Sequence, residues 1–360
     1  MNHDIVLAVS GGVDSAMSAA LLREQGFRVK PLFFRLGLTD QDEQQARAEN
    51  IGERLGLVTE VIDLELAFRE KVLDYFCRSY YQGLTPNPCV VCNPYIKFAA
   101  LLQEADLRGC RWLASGHYAR ITAGKEGASL HRALDEKKDQ SYFLCGLSQE
   151  QLSRTVFPLG TWIKEEVRSQ AVTAGLADLT GSESQDVCFL KNSGVGEFLR
   201  NFCSEAGDRM REGDIVDRCG NVLGRHSGIF SYTVGQRRGL GIPDSTPYYV
   251  LAVDPGTNRI IAGKEEELQR SACRVAGLNW LRGYPPELPA TLQVRIRYRH
   301  PGASARVTGA GDGVRVEFQT PQRAVTPGQF AVFYDETEVL GGGVIQGERE
   351  VAIEDREKKR

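Results

Sequence analysis

The chain has 360 residues, 42% of them hydrophobic and 25% charged, which predicts two or three globular domains and excludes a disordered or collagen-like polypeptide. The 44 Lys and Arg residues against 47 Asp and Glu give a net charge of −3, so the overall charge does not indicate a nucleic-acid partner. The chain has nine cysteines, an odd and small number, which predicts cytoplasmic thiols rather than disulfides. It contains no run of eighteen apolar residues, which predicts that it has no membrane span. No basic region precedes the first apolar run, which predicts that it has no signal peptide.

The N-terminal half alternates apolar strand patterns with helical patterns, which predicts an α/β fold with a doubly wound parallel sheet. The strand at Arg111–Ser115 ends at Gly116 and His117, where the carboxyl end of a parallel strand faces a ligand crevice. The other predicted strands are Ile5–Val9, Val29–Leu36 and Val58–Ile62, and the predicted helices are Val13–Glu24, Asp40–Leu55, a helix ending near Gln82, and Tyr95–Leu102.

The texture of the sequence changes after about Asn192, where Gly, Asp and Arg become dense and helical periodicity is lost. From about Arg274 onward, short alternating runs such as Leu292–Tyr298 and Ala303–Val307 are punctuated by Gly and Pro, which predicts an antiparallel β-barrel. We therefore expect three domains, at residues 1–195, 196–273 and 274–360, the second of them small.

The strongest chemical signal is the hexapeptide Ser10–Ser15, Ser-Gly-Gly-Val-Asp-Ser, between the first strand and the first helix. Two glycines allow close approach of the backbone to a phosphate, the helix N-terminus offers unpaired N–H groups, and Asp14 beside phosphates suits a bridging Mg²⁺. The chain contains neither a Walker A loop nor a Gly-x-Gly-x-x-Gly after a strand. An ordinary serine-capped glycine turn is the alternative. The hexapeptide resembles that of the pyrophosphatase-loop superfamily, which implies cleavage of ATP between its α and β phosphates and adenylation of a carbonyl oxygen.

Cysteines carry the second signal. Cys89 and Cys92 form a C-x-x-C in a proline-stiffened loop ahead of a helical pattern, and Cys188 lies far along the chain. A thiolate near a helix N-terminus has a lowered pKa, which suits a nucleophile or a metal ligand. A zinc half-site or a buried pair is the alternative, although structural zinc usually needs two such pairs. The other six cysteines have no partner at ligand spacing and are expected to be inert: Cys77, Cys110, Cys145, Cys203, Cys219 and Cys273.

A set of motifs spread over nearly the whole chain resembles the bacterial tRNA-specific 2-thiouridylase family. That family joins an N-terminal HUP-like pyrophosphatase-loop domain, a small central tRNA-binding domain and a C-terminal β-barrel. This order agrees with the three domains expected at residues 1–195, 196–273 and 274–360. The matching stretches are Ala8–Ser15, Thr85–Asn93, Ile96–Phe98, Ser115–Tyr118, Lys138–Tyr142, Ser184–Phe189, Thr233–Gly241, Pro327–Gln329 and Leu340–Gly343.

The resemblance implies roles for particular residues. Cys188 matches the cysteine that receives sulfur as a persulfide, and Cys92 matches its catalytic partner. The residues implied to bind ATP are Ala8, Val9, Ser10, Gly11, Gly12, Val13, Asp14, Ser15, Phe34 and Gly116. The residues implied to meet tRNA or its target base are Asn87, Pro88, Cys89, His117, Lys138, Asp139, Gln140, Arg297 and Tyr298.

The implied reaction is 2-thiolation of the wobble uridine, U34, in tRNAs of the Lys, Glu and Gln type. ATP with Mg²⁺ adenylates O2 of the base, and a sulfur nucleophile, supplied by a donor protein or as sulfide, then attacks C2. Many family members have an aspartate where this chain has Cys89. Cys89, Cys92 and Cys188 could therefore ligate three irons of a [4Fe–4S] cluster whose fourth iron binds sulfide. The persulfide and the cluster routes both remain open from the sequence.

Charge is distributed unevenly despite the near-neutral total. Between Arg282 and Arg323 there are seven arginines and three acidic residues, a local charge of +4. Alternation of Arg295, Arg297 and Arg299 predicts that one face of a strand carries all three and that Tyr298 lies on the other. Arginine contacts with phosphate would supply affinity for tRNA, and a solvated strand face is the alternative.

Three competing functions follow from the same residues. An amidating or lysidine-forming pyrophosphatase-loop ligase would need an amine site and no cysteine pair. A non-catalytic tRNA-binding protein would need only the barrel and its basic residues, and a zinc-stabilised loop would give the C-x-x-C a purely structural role.

Overall fold

A five-stranded parallel sheet forms the N-terminal part of the chain in the computed structural model, which describes residues 3–125, 127–176, 187–190, 194–203 and 211–347. Its strand order is β3-β2-β1-β4-β7, with every pairing parallel. Residues 184–186 of one predicted motif and the charged C-terminal tail lie outside the described residues. The strands up to residue 156 are β1 (Asp4–Val9), β2 (Arg28–Arg35), β3 (Glu60–Asp63), β4 (Trp112–Ser115), β5 (Ala119–Gly124), β6 (Gly127–Arg132) and β7 (Thr155–Val156).

Helices cover both faces of this sheet, as the doubly wound prediction requires. In β1, Ile5, Leu7 and Val9 share one apolar cluster, whereas Val6 belongs to a different cluster that includes Phe98. Alternate residues of a strand point to opposite faces, so both faces are packed. The helices are α1 (Val13–Glu24), α2 (Gln41–Arg54), α3 (Glu65–Phe68), α4 (Asp74–Tyr81), α5 (Pro88–Cys92), α6 (Phe98–Leu107), α7 (Gln149–Arg154), α8 (Lys164–Thr173) and α9 (Val195–Phe202). Arg69–Leu73 and Asn93–Lys97 are π-helical segments that continue α3 into α4 and α5 into α6.

The central part of the chain is a four-stranded sheet of order β10-β11-β8-β9. Its strands are β8 (Gly213–Val216), β9 (Val222–His226), β10 (Tyr249–Asp254) and β11 (Arg259–Gly263). Its apolar face packs on α4, because Phe76 and Tyr80 belong to the same buried cluster as Ile215 and Val250. The central sheet is therefore attached to the first domain through a helix that precedes the C-x-x-C.

The C-terminal strands close into a six-stranded antiparallel barrel, as predicted. The ladder runs β12-β15-β14-β13-β16-β17, and β12 also pairs with β17, which closes the ring. The strands are β12 (Gln269–Trp280), β13 (Ala290–Arg295), β14 (Ala303–Ala310), β15 (Gly313–Arg323), β16 (Phe330–Asp335) and β17 (Glu338–Ile345). The boundary expected between residues 273 and 274 falls inside β12, and the division into three domains at the stated residues stays a proposal.

A hairpin of the first domain joins the barrel. β5 and β6 pair with each other, and β6 continues onto β17 through the pairs His131 with Glu338 and Leu130 with Val339. This hairpin was not expected from the sequence. It makes the first domain and the barrel share one continuous hydrogen-bonded sheet.

Cysteine pairing differs from the prediction. Cys77 in α4 and Cys203, the residue after α9, form a disulfide, so the expectation of thiols without disulfides is wrong at this pair. Their 126-residue separation gave the sequence no local signal for the contact. Within the described part of the chain, no helix is long and apolar enough to span a membrane.

Candidate active site

The hexapeptide Ser10–Ser15 lies where β1 ends and α1 begins. Gly11 has φ +76°, and a Cβ there would lie 2.6 Å from the main-chain oxygen of Gln44, so only glycine fits. The Ser15 hydroxyl donates to the carbonyl of Gly12 at 2.8 Å and accepts from the Ser10 amide at 3.2 Å. The loop is therefore held by its own serines at the amino end of α1, where N–H groups and the helix dipole favour a phosphate.

Gly116, which follows β4, packs directly on this loop. A Cβ at Gly116 would lie 3.2 Å from the carbonyl carbon of Asp14 and 3.3 Å from the Ser15 amide nitrogen. Strands β1 and β4 are neighbours, and the chain leaves β1 towards β2 on the other side, so this edge is the topological switch point where open α/β sheets bind ligands. The structure thus brings the loop and Gly116 together at this edge, and their binding of ATP stays a prediction.

The other residues predicted to bind ATP have different surroundings. Ala8 and Val9 are the last residues of β1. Val13 is the first residue of α1, and its buried side chain packs in the cluster that contains Met17 and Tyr118. Phe34, near the end of β2, is 8% exposed and packs in the cluster that contains Val90 and Phe98. All four lie at the carboxyl edge of the sheet or beside it.

Asp14 is bound by two residues that the sequence analysis did not single out. Lys164, the first residue of α8, places its Nζ 2.7 Å from both carboxylate oxygens, and the Tyr118 hydroxyl donates to Oδ1 at 2.8 Å. The Lys164 side chain is 1% exposed and that of Asp14 is 34% exposed. A buried lysine is rare unless it is paired, so Lys164 holds the carboxylate of the loop in one orientation and balances its charge.

The C-x-x-C occupies the short helix α5. Asn87 caps it, with its Oδ1 3.4 Å from the Val90 amide, and Pro88 is its first residue. Burial raises the pKa of Cys89 to about 11 and that of Cys92 to about 12, and the charge of Lys97 partly opposes this in both cases. The lowered thiol pKa that the sequence analysis expected near a helix N-terminus is therefore wrong, because desolvation outweighs the ends of a five-residue helix.

Cys188 comes close to Cys92. It packs against the apolar cluster of Phe68, Val72, Leu73, Cys92 and Ile96, and its charge raises the pKa of both Cys89 and Cys92. The two cysteines that the resemblance pairs thus share one environment although 96 residues separate them. In the described ranges, however, no three His, Cys, Asp or Glu side chains are arranged to hold a metal ion. The iron–sulfur cluster on Cys89, Cys92 and Cys188 stays a prediction, because the ligands of a cluster bind different irons and need not converge on one ion.

His117 lies between the loop and the C-x-x-C. Its ring packs against Phe98 and Phe157 at centroid distances of 5.9 and 6.1 Å, and its Nδ1 is 2.8 Å from the Ser115 hydroxyl. Burial, with a smaller contribution from the positive charge of Lys97, lowers its pKa to about 3. His117 is therefore a neutral imidazole at physiological pH and offers a hydrogen bond rather than a charge.

Asp139 occupies a different environment from the one expected of a tRNA contact. It is 3% exposed, it accepts hydrogen bonds from the Ala133 and Ser141 amides, and its Oδ2 is 2.9 Å from the guanidinium of Arg295. Its neighbour Gln140 accepts from the Tyr118 amide at 2.9 Å, and Lys138 is half-buried. The Asp139 carboxylate thus organises the segment between the first domain and the barrel.

The predicted arginine face is wrong. β13 ends at Arg295, so Arg297 and Arg299 follow the strand in a turn and do not share a strand face with Arg295. The Arg297 guanidinium donates to the carbonyl of Arg323 at 3.2 Å, and Tyr298 packs on Phe143 at a centroid distance of 4.3 Å.

The local charge of +4 is also reduced by distant partners. Three of the seven arginines pair with acids outside the counted stretch: Arg282 with Glu338, Arg295 with Asp139 and Arg323 with Glu265. A charge count along the sequence misses such pairs because the fold brings them together.

Three family models cover most of the chain. The tRNA methyl transferase HUP domain matches residues 3–192, the tRNA methyl transferase PRC-barrel domain matches 197–264, and the aminomethyltransferase beta-barrel domain matches 270–345. They agree with the parallel sheet, the central sheet and the closed barrel described above.

Curated relatives match over nearly their whole length. The tRNA-specific 2-thiouridylase MnmA of Desulfotalea psychrophila is 43% identical over 341 residues, which cover 94% of this chain and 98% of that protein. The protein of the same name from Chloroflexus aurantiacus is 44% identical over 356 residues, covering 95% and 98%. Among solved structures, a predicted tRNA methyltransferase subunit from Methanocaldococcus jannaschii aligns over 47% of this chain and 75% of its own, with 22% identity and a TM-score of 0.32.

Proposed function

The chain belongs to the tRNA-specific 2-thiouridylase family, and we propose that it catalyses the ATP-dependent 2-thiolation of uridine in tRNA. The observation that carries this proposal is the arrangement at the carboxyl edge of the parallel sheet. The Ser10–Ser15 loop follows β1 there, and Cys92 and Cys188 share an apolar cluster with Leu36 and Leu64, which follow β2 and β3. In its finer form the proposal takes U34 of the Lys, Glu and Gln tRNAs as the target, a donor protein or sulfide as the sulfur source, and the cytoplasm as the location.

ATP would bind with its phosphates at Ser10–Ser15. The loop amides would face the phosphates. The Asp14 carboxylate is a third exposed, and its Oδ2 retains one lone pair that Lys164 and Tyr118 do not use. Asp14 therefore fits a Mg²⁺ bound to the phosphates, which would neutralise charge on the departing pyrophosphate. The uridine must leave the anticodon stack to reach this edge, which costs least in a single-stranded loop.

Adenylation converts the uridine O2, a poor leaving group on C2, into a good one. Uridine O2 attacks the α phosphorus, pyrophosphate leaves, and the base oxygen becomes part of an AMP leaving group. The loop amides at the amino end of α1 stabilise the charge that develops on the phosphate. A sulfur nucleophile then attacks C2, and AMP departs with the former O2.

For the sulfur step we propose the persulfide route. A donor protein first transfers the outer sulfur of its own persulfide to the Cys188 thiolate and keeps a thiol, because sulfide alone cannot supply the outer sulfur of a persulfide. Cys92 then loses its proton and its thiolate attacks Sγ of Cys188. The bond from Sγ to the outer sulfur breaks, a Cys92–Cys188 disulfide forms, and the outer sulfur leaves as hydrosulfide, which attacks C2. A thiol reductant must then return the disulfide to two thiols. The apolar cluster shared by these two cysteines supports this route.

An anaerobic assay on unmodified tRNA transcript tests both the ATP-dependent thiolation and the persulfide route. We expect 2-thiouridine, measured by mass spectrometry of digested nucleosides, and tRNA-dependent AMP release from the wild-type chain. Cys92→Ser and Cys188→Ser should abolish thiolation but keep AMP release, because adenylation needs neither thiol. Cys89→Ala should keep both activities, and Cys219→Ser, at an exposed thiol, is the matched control.

Other outcomes of the same assay would contradict the proposal. If Cys89→Ala lost both thiolation and the iron that the wild-type chain binds, the cluster route would be established instead. Activity that survives loss of both Cys92 and Cys188 would indicate a ligase that uses an amine. Binding of tRNA with no AMP release would indicate a non-catalytic RNA-binding protein, and one zinc per chain without iron would indicate a structural metal.

A further inference from the structure

The segment that leads into the C-x-x-C is held by the barrel. The Thr85 amide donates to the carbonyl of Pro327 at 2.9 Å. The side-chain amide of Gln329 donates in return to the carbonyls of Thr85, at 2.9 Å, and of Pro86, at 3.2 Å. Three consecutive main-chain groups of this segment thus bond to one turn of the barrel, although the sequence separates them by about 240 residues.

Steric fit reinforces these hydrogen bonds. Gly328 has φ +89°, and a Cβ there would lie 2.8 Å from both the Leu84 Cβ and the Thr85 nitrogen. The barrel turn Pro327–Gln329 is itself fixed, because the Gly328 amide donates to the Ile345 carbonyl at 2.9 Å and the Ile345 amide donates back to Gln329 at 2.8 Å. A rigid turn therefore abuts the segment without an intervening side chain.

The chain between this contact and the thiols has little freedom to absorb a displacement. Pro86 and Pro88 fix two φ angles and provide no N–H for a hydrogen-bonded ladder, and Asn87 caps α5. Cys89 follows Pro86 by three residues, and Cys92 is one helical turn further on. The position of Thr85 and Pro86 therefore determines where both thiols stand.

The same contact borders the expected path of the tRNA. Thr85 and Gln329 line a pocket of about 240 Å³ together with Arg297 and Arg323 of the barrel and Thr233–Gly235 of the central sheet region. A nucleic acid bound at these arginines would lie beside the hydrogen bonds that hold the catalytic segment.

We propose that the barrel turn Pro327–Gln329 positions the thiol-bearing segment for sulfur transfer, with Gln329 as the positioning residue. The barrel then contributes to the chemical step as well as to tRNA binding. This inference rests on the proposed function for its meaning, but its structural content, that Gln329 restrains the Cys89–Cys92 segment, can be measured without tRNA or ATP.

Thiol alkylation measures the restraint directly. Gln329→Met keeps the length of the side chain but donates no hydrogen bond, and Gln293→Met, at an exposed glutamine of β13, is the matched control. We expect Gln329→Met to raise the iodoacetamide labelling rate of tryptic peptide 79–97, which carries both thiols, by about fivefold to thirtyfold, because the variant loses two side-chain hydrogen bonds and each is worth a factor of about five. The exposed Cys219 in peptide 219–225 serves as the internal reference, and its rate should not change.

A pair of glycine variants distinguishes the effect of the contact with the catalytic segment from the effect of backbone strain. Gly328→Ala and Gly311→Ala both place a side chain at positive φ, but only Gly328 lies against the main chain of the catalytic segment. We expect faster labelling of peptide 79–97 in Gly328→Ala and the wild-type rate in Gly311→Ala. Equal rates in the two variants, or a wild-type rate in Gln329→Met, would overturn the proposal whatever the enzyme does with tRNA.

The kinetic signature follows from a positioning role. In the thiolation assay Gln329→Met should lower kcat by about tenfold or more with little change in KM for tRNA, because the lost interaction orients the nucleophile. A raised KM with unchanged kcat and unchanged labelling would mean that Gln329 only contacts tRNA, which overturns the proposal. Faster labelling in a chain that shows no thiolation under any condition would leave the restraint established and refute the proposed function.

Discussion

The ion pair between Asp14 and Lys164 predicts an unequal response to removing either partner. Asp14→Asn leaves the Lys164 ammonium, 1% exposed, without its carboxylate. Lys164→Met removes the buried charge and leaves an Asp14 carboxylate that is 34% exposed. Both substitutions keep the approximate shape of the side chain, so charge is the main variable.

The magnitudes follow from burial. Breaking a buried pair by removing one partner costs about 3 kcal/mol at the lower end, which suits Asp14→Asn because the amide oxygen still accepts one hydrogen bond. The carboxylate left by Lys164→Met is screened by water, so its cost is about 1 kcal/mol. For a unit of about 190 residues these values correspond to decreases in Tm of about 6–12 °C and about 2–4 °C.

The double variant provides the decisive comparison. Asp14→Asn with Lys164→Met contains neither the buried ammonium nor the carboxylate, so its Tm should be close to that of Lys164→Met and above that of Asp14→Asn. Calorimetry or dye-based melting of the four chains in one buffer measures this cycle. Equal decreases for the two single variants, or a double variant that loses the sum of both, would refute the reasoning.

Two further predictions concern the cysteines. Burial raises the pKa of Cys92 to about 12, so its thiolate fraction rises throughout the range from pH 7 to 10. Its alkylation rate should therefore increase about tenfold per pH unit without a plateau. A plateau below pH 9 in the labelling of peptide 79–97 would contradict this prediction. The Cys77–Cys203 disulfide closes a long loop, and such a disulfide stabilises a protein by about 2–4 kcal/mol. Reductant should therefore lower the Tm of the wild-type chain by several degrees and should not change the Tm of Cys77→Ser. Identical melting of the wild type with and without reductant would refute this prediction.

Local signals explain what the sequence could predict. The helix expected at Val13–Glu24 has those bounds in the structure, because a glycine turn precedes it and Gly26, at φ +85°, follows its last turn. β1 was expected at Ile5–Val9 and spans Asp4–Val9. The Ser10–Ser15 loop was recognisable for the same reason, since its glycines, serines and Asp14 are neighbours in sequence.

Long-range partners explain what the sequence could not predict. Lys164 meets Asp14 across 150 residues, Arg295 meets Asp139 across 156, and Cys77 meets Cys203 across 126. No periodicity or motif spacing encodes such a contact. Lys164 stands at the start of a helix with charged neighbours, Glu165 and Glu166, and looks like a surface residue until the fold buries it.

The error about the arginines has a related cause. Alternation of Arg295, Arg297 and Arg299 is a valid strand pattern, but β13 ends at Arg295, whose guanidinium bonds to Asp139 and to the carbonyls of Tyr298 and His300. Those two carbonyls turn back towards the strand end, so the chain leaves the sheet at that point. The tertiary contact therefore overrode the local pattern.

The barrel is fastened to the first domain at several separate places. β6 adds to the barrel sheet, Asn279 donates to the carbonyls of Cys145 and Leu147 at 2.8 and 3.0 Å, Arg295 pairs with Asp139, and Gln329 bonds to Thr85. Each contact satisfies a polar group that would lose its partner if the barrel moved away. The barrel and the catalytic domain are therefore held together by hydrogen bonds at separate places on the barrel rather than by one linker.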